Sequence, residues 1–221
     1  MKNRILIVSP HPDDETLGAG GSLLRFKAEG DSIYWLNMTD MKEEYGFSAK
    51  DVLRRTTEID KVRKSYAFDG FYNLGLRPSF LSQYSPSDIM GQVKKVLDQV
   101  KPSIVILPFK EDAHSDHKIV FETVSSCLKV FRAPFVKEIL VMEILSETDF
   151  STSKNGFMPN YFVDISGYLE KKILIAKNYK SEFGKHPFPR SFSNIRALSL
   201  LRGAVAGCES AEGFMLVKMI R

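Results

Sequence analysis

The stretch ILIVSPHPDDETLGAGGSLLRFKAEG, residues 5–30, decides how this chain folds. Its first four residues, Ile5–Val8, form a continuous aliphatic run, which is typical of a strand buried on both faces. A turn with two prolines follows. The pattern over Thr16–Glu29 then predicts a helix with an apolar side, and Gly30 is a residue type that ends helices. A buried strand followed by a short turn and a helix is the repeating unit of an α/β protein.

Outside this stretch, strands and helices continue to alternate along the chain. Further strands are predicted at Ser32–Met38, Phe71–Leu74, Ser103–Leu107, Glu138–Leu145, Tyr161–Ile165 and Gly213–Ile220. Further helices are predicted at Asp51–Tyr66, Ser87–Val100, Ser115–Phe131, Tyr168–Phe183 and Phe192–Ala206. This alternation predicts an α/β sandwich with a mainly parallel sheet. No repeat or linker divides the sequence, so we expect a single domain over residues 1–221.

Composition and charge limit the class of protein. Of the 221 residues, 43% are apolar, and the net charge of +4 comes from scattered basic residues rather than a basic stripe. We therefore expect a well-filled core and no nucleic-acid partner. The two cysteines form no CxxC pair, which suits a reducing compartment. The sequence has neither a signal-peptide core nor an apolar run of about 20 residues, so we expect a cytoplasmic protein without integral membrane contact.

Three of the four histidines lie just beyond the ends of two predicted buried strands. His11 begins the run His-Pro-Asp-Asp-Glu after the first strand, at residues 11–15. His114 and His117 belong to the run Asp-Ala-His-Ser-Asp-His after the strand Ser103–Leu107, at residues 112–117. In sheets of this kind ligands bind beyond the carboxyl ends of the strands. The two runs are therefore expected to form one site.

The residue types in these two runs suit hydrolysis at a bound metal ion. Catalytic zinc takes three protein ligands, typically His and carboxylate, and keeps one position open for water. A free carboxylate must then accept the water proton, and a proton donor must assist the leaving amine. Spacing alone leaves the roles open. Either Asp13 or Asp14 could be the ligand and the other the base, while His114 and His117 could both face the metal.

Together the two runs resemble the hallmark motifs of the LmbE-like (PIG-L type) N-deacetylase family. The similar segments are His-Pro-Asp-Asp-Glu at 11–15 and His-Ser-Asp-His at 114–117. Further similarity covers nearly the whole chain, at residues 18–21, 55–58, 157–166, 179–182 and 211–214. The resemblance implies a Rossmann-like fold, a three-layer α/β/α sandwich. It also implies that His11, Asp14 and His117 bind zinc, although other divalent metals suit such a site.

The resemblance also implies the catalytic roles. Asp13 would be the general base. His114, oriented by Asp116, would stabilise the oxyanion and help to protonate the departing amine. Arg55 would contact a hydroxyl or phosphate group of the substrate. Position 115 is Ser where the family usually has Pro, and Ser is also a good residue for the start of a helix.

These roles imply a zinc-dependent hydrolase that removes the N-acetyl group from an amino sugar or sugar conjugate of the N-acetylglucosamine type. One alternative is an amidase acting on a thiol conjugate or another N-acyl substrate. A second alternative is a sugar-binding protein without catalysis, although every expected ligand and the base are present. The expected partner is a small N-acetylated sugar, and the resemblance is compatible with a homo-oligomer. His186 and Glu212 receive no role from the sequence.

Overall fold

A computed structural model describes residues 2–221 of the chain. Seven β-strands form its sheet, and they begin and end within a few residues of the predicted bounds. They are β1 Arg4–Ser9, β2 Ser32–Thr39, β3 Gly70–Leu76, β4 Ile104–Leu107, β5 Glu138–Met142, β6 Tyr161–Asp164 and β7 Ala211–Met219.

Six α-helices of eight or more residues connect these strands in the described part of the chain. They are α1 Asp14–Ala28, α2 Ala49–Tyr66, α3 Pro86–Val100, α4 Ser115–Cys127, α5 Leu169–Ala176 and α6 Phe192–Ala206. Side chains cap several helix starts. Ser48 accepts a hydrogen bond from the N–H of Asp51, and Ser191 accepts one from the N–H of Asn194. Both serines satisfy a backbone donor that has no partner inside the helix.

The strands form one sheet in the order β3-β2-β1-β4-β5-β7-β6. Strands β1 to β5 are parallel to their neighbours, whereas β7 is antiparallel to both β5 and β6. The expected mainly parallel α/β sheet is confirmed. The chain builds outward from β1 to β3 and then restarts on the other side of β1 with β4. This reversal creates a crevice between the carboxyl ends of β1 and β4, where ligands bind in sheets of this type.

Helices cover both faces of the sheet, which makes the three-layer sandwich that the sequence predicts. The alternation of side chains along β1 separates the two cores. Ile5 and Ile7 pack with apolar residues of α1, α2, α5 and α6, whereas Leu6 and Val8 pack with those of α3 and α4. All four of these side chains are fully buried, as the continuous aliphatic run predicts.

Two of the predicted helices are longer than the helices in the structure. Helix α4 ends at Cys127 rather than Phe131, and the side chain of Phe131 is 74% exposed. Helix α5 ends at Ala176 rather than Phe183. There the side-chain amide of Asn178 donates to the carbonyl of Ile175 at 2.9 Å, in competition with the helical pattern. The chain turns at this point, and the segment that follows reaches back to the start of α1.

Helix α1 packs closely against the end of the sheet. A Cβ atom at Gly21 would lie 2.7 Å from the side chain of Ile165, so only glycine fits there. The carboxylate of Glu212 accepts hydrogen bonds from the N–H groups of Gly21 and Ser22, and it also pairs with Lys172 at 2.6 Å. The role of Glu212 is therefore to anchor the middle of the helix whose first residues carry the candidate site.

No helix within residues 2–221 combines the length and the apolar composition that a bilayer crossing requires.

Candidate active site

The two histidine-containing runs meet at the crevice between β1 and β4. The first follows β1 directly and leads into α1, which begins at Asp14. The second lies between β4 and α4, where His114 occupies the position before the first helical residue. Their side chains line a pocket together with residues from the ends of other strands. The structure thus brings the two runs together at one edge of the sheet.

Three side chains at this crevice could hold a metal ion. His11, Asp14 and His117 each offer one ligand atom, and the three atoms lie within 4.8 Å of one another. Nδ1 of His11 is 3.6 Å from Oδ2 of Asp14, and Nε2 of His117 is 3.4 Å from the same oxygen. Two imidazoles and one carboxylate converging on a pocket form the donor set of many catalytic zinc sites.

The imidazole of His117 fits a ligand role for a second reason. Its Nε2 atom is buried and has no hydrogen-bond partner among residues 2–221, which is a costly arrangement for a polar atom. Its Nδ1 atom donates to Oδ2 of Asp112 at 2.8 Å. Asp112 in turn accepts a hydrogen bond from the hydroxyl of Thr148 at 2.7 Å. The carboxylate on the far nitrogen holds the ring so that Nε2 faces Asp14, as in metal sites with oriented histidine ligands.

Asp116 occupies a different position from the one that the sequence implies. Its carboxylate accepts a hydrogen bond from Nε2 of His11 at 3.0 Å, so it orients His11 rather than His114. Asp116 contacts His114 only through its backbone N–H, which donates to Nδ1 of His114 at 3.1 Å. Its carboxylate oxygens also accept the backbone N–H groups of Ser79 and Leu81. This arrangement arises because His114 caps α4, whose first turn directs the Asp116 carboxylate towards residues 79–81.

A second possible metal group is formed by His11, His114 and Asp116. It is the weaker candidate, because the Asp116 oxygens already accept three hydrogen bonds and Nδ1 of His114 accepts another. The group with the unpartnered Nε2 of His117 offers the freer ligand atoms.

Without a metal ion, the first group consists of two protonated histidines beside one ionised aspartate. Burial lowers the pKa of His11, but its hydrogen bond to Asp116 and the nearby Asp14 outweigh burial and raise it to about 9. The pKa of His117 is raised to about 10, because the attraction of Asp14 and Asp112 likewise exceeds the effect of burial. These two histidines in turn hold the pKa of the buried Asp14 well below its usual range. A cation is strongly favoured beside the Asp14 carboxylate.

His114 has the opposite electrostatic character. Burial and the neighbouring charge of His11, whose ring centroid is 4.4 Å away, lower its pKa to about 4. The imidazole is therefore neutral at pH 7. Because Nδ1 accepts the N–H of Asp116, the single ring proton resides on Nε2. His114, which lines the pocket, thus carries a neutral N–H donor.

Asp13 lies beside the metal group but points to different partners. Burial and the charge of Asp14 raise the pKa of Asp13 well above its usual range. Its Oδ2 atom accepts a hydrogen bond from Nη1 of Arg190 at 3.2 Å. A raised pKa suits a group that must accept a proton near neutral pH.

Arg55 and Arg190 both line the pocket. The guanidinium of Arg55 is almost fully buried and donates to the carbonyl of Pro12 at 2.8 Å and to the carboxylate of Glu182. The predicted contact of Arg55 with a substrate stays a prediction. Sequence reasoning missed Arg190, because the loop before α6 has no periodic pattern that would place it near Asp13.

The fourth histidine, which the sequence left without a role, lies away from this pocket. His186 is exposed, and its Nδ1 atom lies 3.2 Å from the side-chain oxygen of Asn194. Sequence reasoning also gave Asp112 no specific role, although it lies in the second histidine-containing run. The signal for its contact with His117 was its position in the same run, five residues before that histidine.

Known proteins resemble this chain in both sequence and structure. Diacetylchitobiose deacetylase of Thermococcus kodakarensis is 26% identical over 97% of this chain and 83% of its own length. A probable N-acetyl-alpha-D-glucosaminyl L-malate deacetylase 2 of Bacillus anthracis is 27% identical, over 58% of this chain and 61% of its own length. The crystal structure of the conserved protein TT1542 from Thermus thermophilus shares the fold, with a TM-score of 0.80 and 24% identity. The structural match covers 100% of this chain and 97% of the Thermus thermophilus chain.

The match to a protein family agrees with the two histidine-containing runs. The family model described as PIG-L: GlcNAc-PI de-N-acetylase matches residues 6–128, which include both runs. This match spans more than half of the 221 residues. The family resemblance inferred from the sequence is confirmed, and the chain belongs to the PIG-L (LmbE-like) de-N-acetylase family.

Proposed function

We propose that this chain is a zinc-dependent N-deacetylase acting on an amino sugar or sugar conjugate of the N-acetylglucosamine type. The observation that carries the proposal is one pocket that joins a three-residue ligand group to the buried carboxylate of Asp13 and the neutral imidazole of His114. Family membership and the names of the two relatives, a diacetylchitobiose deacetylase and an N-acetylglucosaminyl malate deacetylase, support the substrate class.

His11, Asp14 and His117 would hold the metal ion. Zinc is the proposed metal because two imidazoles and a carboxylate are typical ligands of catalytic zinc, although other divalent ions accept the same set. When bound, the ion would polarise the acetyl carbonyl and lower the pKa of water towards about 7. Asp112 and Asp116 orient the two histidines through their far nitrogens.

Asp13 and His114 would move the protons of the reaction. Asp13 accepts a proton from the water whose oxygen bonds to the acetyl carbon. His114 donates a hydrogen bond from Nε2 to the carbonyl oxygen as negative charge develops there. The bond between carbon and nitrogen then breaks as the nitrogen takes up, with the help of His114, the proton that Asp13 accepted, and the nitrogen leaves as an amine. The acetic acid that remains loses its hydroxyl proton to solvent and becomes acetate.

The lining of the pocket favours a sugar over a long acyl chain. Outside the metal group its lining includes the polar and charged side chains of Thr39, Asp40, Ser79, Glu147, Glu182 and Arg190 beside the apolar Met41 and Pro78. Hydroxyl groups of a sugar find hydrogen-bond partners there, whereas a hydrocarbon chain would desolvate these groups without compensation. Arg190 is the more exposed of the two pocket arginines, with 26% of its side chain accessible, and we propose it as a substrate contact.

We also propose the domain organisation and the cellular location of the enzyme. We propose that residues 1–221 act as one deacetylase domain, because the sheet uses strands from Arg4 to Met219. A cytoplasmic location is supported by Cys127 and Cys208, which are both free thiols. A homo-oligomer stays a prediction, which light scattering after size-exclusion chromatography tests.

The direct test is acetate release from a panel of N-acetylated sugars, with metal analysis of the same preparation. The panel contains free, nucleotide-linked and glycoside-linked N-acetylglucosamine, the disaccharide diacetylchitobiose, a longer N-acyl glucosamine and an N-acetylated thiol conjugate. We expect release that a chelator abolishes, with the highest kcat/KM on an N-acetylated sugar. Turnover of only the longer acyl or thiol substrates would replace the proposal with the amidase alternative. Bound metal with no turnover on any member would contradict a deacetylase.

A further inference from the structure

The backbone of Asp13 has a conformation that no other residue in the described chain shares. Its φ is 140° and its ψ is −27°, which L-residues other than glycine rarely adopt. Four other non-glycine residues within 2–221 have positive φ, but theirs lie between 47° and 72°, in the left-handed helical region. Such a conformation persists only where the surroundings enforce it.

Two buried ionisable side chains hold the peptide group that precedes this strained residue. The carbonyl of Pro12 accepts a hydrogen bond from Nη1 of Arg55 at 2.8 Å. The N–H of Asp13 donates to Oε2 of Glu15 at 3.0 Å. Arg55 is 4% exposed and Glu15 is fully buried. Both polar atoms of the Pro12–Asp13 peptide are therefore bound by ionisable groups shielded from water, where such bonds are strong.

Each of these two side chains is itself fixed by further partners. Glu15 accepts hydrogen bonds through Oε1 from the hydroxyls of Thr16 at 2.6 Å and Tyr179 at 2.8 Å. Arg55 donates to Glu182, and its Nε atom lies 3.6 Å from the carboxylate of Glu58. The peptide is thus held between α1, α2 and the segment that follows α5.

The side chain of Asp13 shows what this arrangement achieves. Asp13 precedes the first residue of α1, a position where aspartate usually accepts a hydrogen bond from the helix. Here its side chain accepts no hydrogen bond from the first turn of α1, although its backbone carbonyl accepts the N–H groups of Thr16 and Leu17. The carboxylate instead lines the pocket beside the metal group.

We propose that Arg55 and Glu15 are positioning residues that clamp the Pro12–Asp13 peptide in its strained conformation and so direct the Asp13 carboxylate into the pocket. The inference rests on the proposed role of Asp13 as the base. Removing one arm of the clamp lets Asp13 relax to an ordinary φ, which turns its carboxylate away from the attacking water. A misplacement of this kind lowers kcat, whereas loss of the predicted contact between Arg55 and the substrate would raise KM.

The test compares Arg55→Ala with Arg54→Ala, a control at the neighbouring position on α2. Arg54 is 38% exposed and pairs with Asp51, outside the candidate site. We expect Arg55→Ala to lower kcat for acetate release by about 100-fold with little change in KM and full metal content. Arg54→Ala keeps the kcat of the wild type. Because Arg55 lines the pocket, added guanidinium ion restores part of the kcat of Arg55→Ala.

A crystal structure of Arg55→Ala tests the clamp independently of activity, because it shows the backbone conformation of Asp13. We expect φ of Asp13 to become negative in the variant and to stay near 140° in the wild type. Glu15→Leu provides a second variant in case Arg55→Ala does not fold; it removes the acceptor of the Asp13 N–H and should lower kcat in the same way. An unchanged kcat in both variants, or a φ of Asp13 that stays near 140° in both, overturns the inference. Full activity of Asp13→Asn would instead overturn the proposed function, so the two failures are distinguishable.

Discussion

Nδ1 of His117 donates a hydrogen bond to Oδ2 of Asp112 at 2.8 Å, while Nε2 of the same ring lies 3.4 Å from the Asp14 carboxylate. One imidazole is therefore held on its far side by one aspartate and turned towards another. His11 repeats this arrangement with Asp116 on its far nitrogen and Asp14 near the other. Both histidines of the proposed ligand set are fixed before a metal binds, which lowers the entropy lost on binding.

Removing the charge that orients His117 should weaken metal binding. In Asp112→Asn the hydrogen bond to Nδ1 loses its ionic character and the ring loses part of its basicity. We expect zinc affinity to fall by about 10- to 100-fold, the usual cost of losing such a partner. Competition with a fluorescent chelator measures this affinity. Asp98→Asn, on the exposed side of α3, is the matched control and should bind zinc like the wild type.

Zinc loading should release protons at pH 7. Without metal, the pKa values of His11 and His117 are raised to about 9 and about 10, so both rings carry a proton at neutral pH. Ligand histidines must be neutral, and binding therefore expels these protons. Affinity should rise with pH until it passes the two raised pKa values. Titration calorimetry in buffers of different ionisation enthalpy measures the number released, and a value of zero at pH 7 would contradict the proposed ligands.

The buried pair of Lys172 and Glu212 should matter for stability. Lys172 donates to Glu212 at 2.6 Å and to the carbonyl of Leu17 at 2.8 Å, and both charged side chains are at most 5% exposed. Lys172→Met leaves the Glu212 carboxylate buried without its counterion. We expect the free energy of unfolding to fall by about 3 kcal/mol, as for other broken buried pairs. Urea denaturation checks this, and the exposed neighbour Lys171→Met should change it by less than about 0.5 kcal/mol.

Alanine substitutions at two glycines in different helices test the packing of α6 against the turn that follows it. A Cβ atom at Gly203 would lie 2.7 Å from backbone atoms of Cys208, Glu209 and Ser210, which cannot move aside easily. Gly203→Ala should lower the free energy of unfolding by about 1–3 kcal/mol. At Gly91 in α3 an added Cβ meets nothing within 4 Å. Gly91→Ala should therefore raise the free energy of unfolding by about 0.4–1 kcal/mol. Thermal unfolding that ranks the two variants in the reverse order would refute this packing.

Strong local patterns predicted most of the fold. The aliphatic run Ile5–Val8 can only be satisfied by burial on both faces, and both cores do take side chains from it. The position of the site followed from the same pattern, because the carboxyl ends of parallel strands meet at one edge. Helix ends were less predictable where weak signals competed, as at Asn178, whose side chain caps a carbonyl that the helix would otherwise use.

Contacts between distant segments could not be predicted from the sequence. Arg190 reaches Asp13 from 177 positions away through an irregular loop, and no local pattern encodes that contact. The partners of Asp116 also depend on tertiary structure, since its carboxylate meets the amides of Ser79 and Leu81 on a separate turn. The strained φ of Asp13 became visible only with the backbone in place.

The most direct test of the central claim measures acetate release by the metal-free, the zinc-reloaded and the Asp13→Asn proteins on the best N-acetylated sugar of the panel. We predict that chelation abolishes turnover and that zinc restores it. We predict that Asp13→Asn binds zinc like the wild type but turns over at least about 100-fold more slowly. Undiminished turnover of Asp13→Asn, or full turnover of the metal-free protein, would contradict a metal-dependent deacetylase that uses Asp13 as its base.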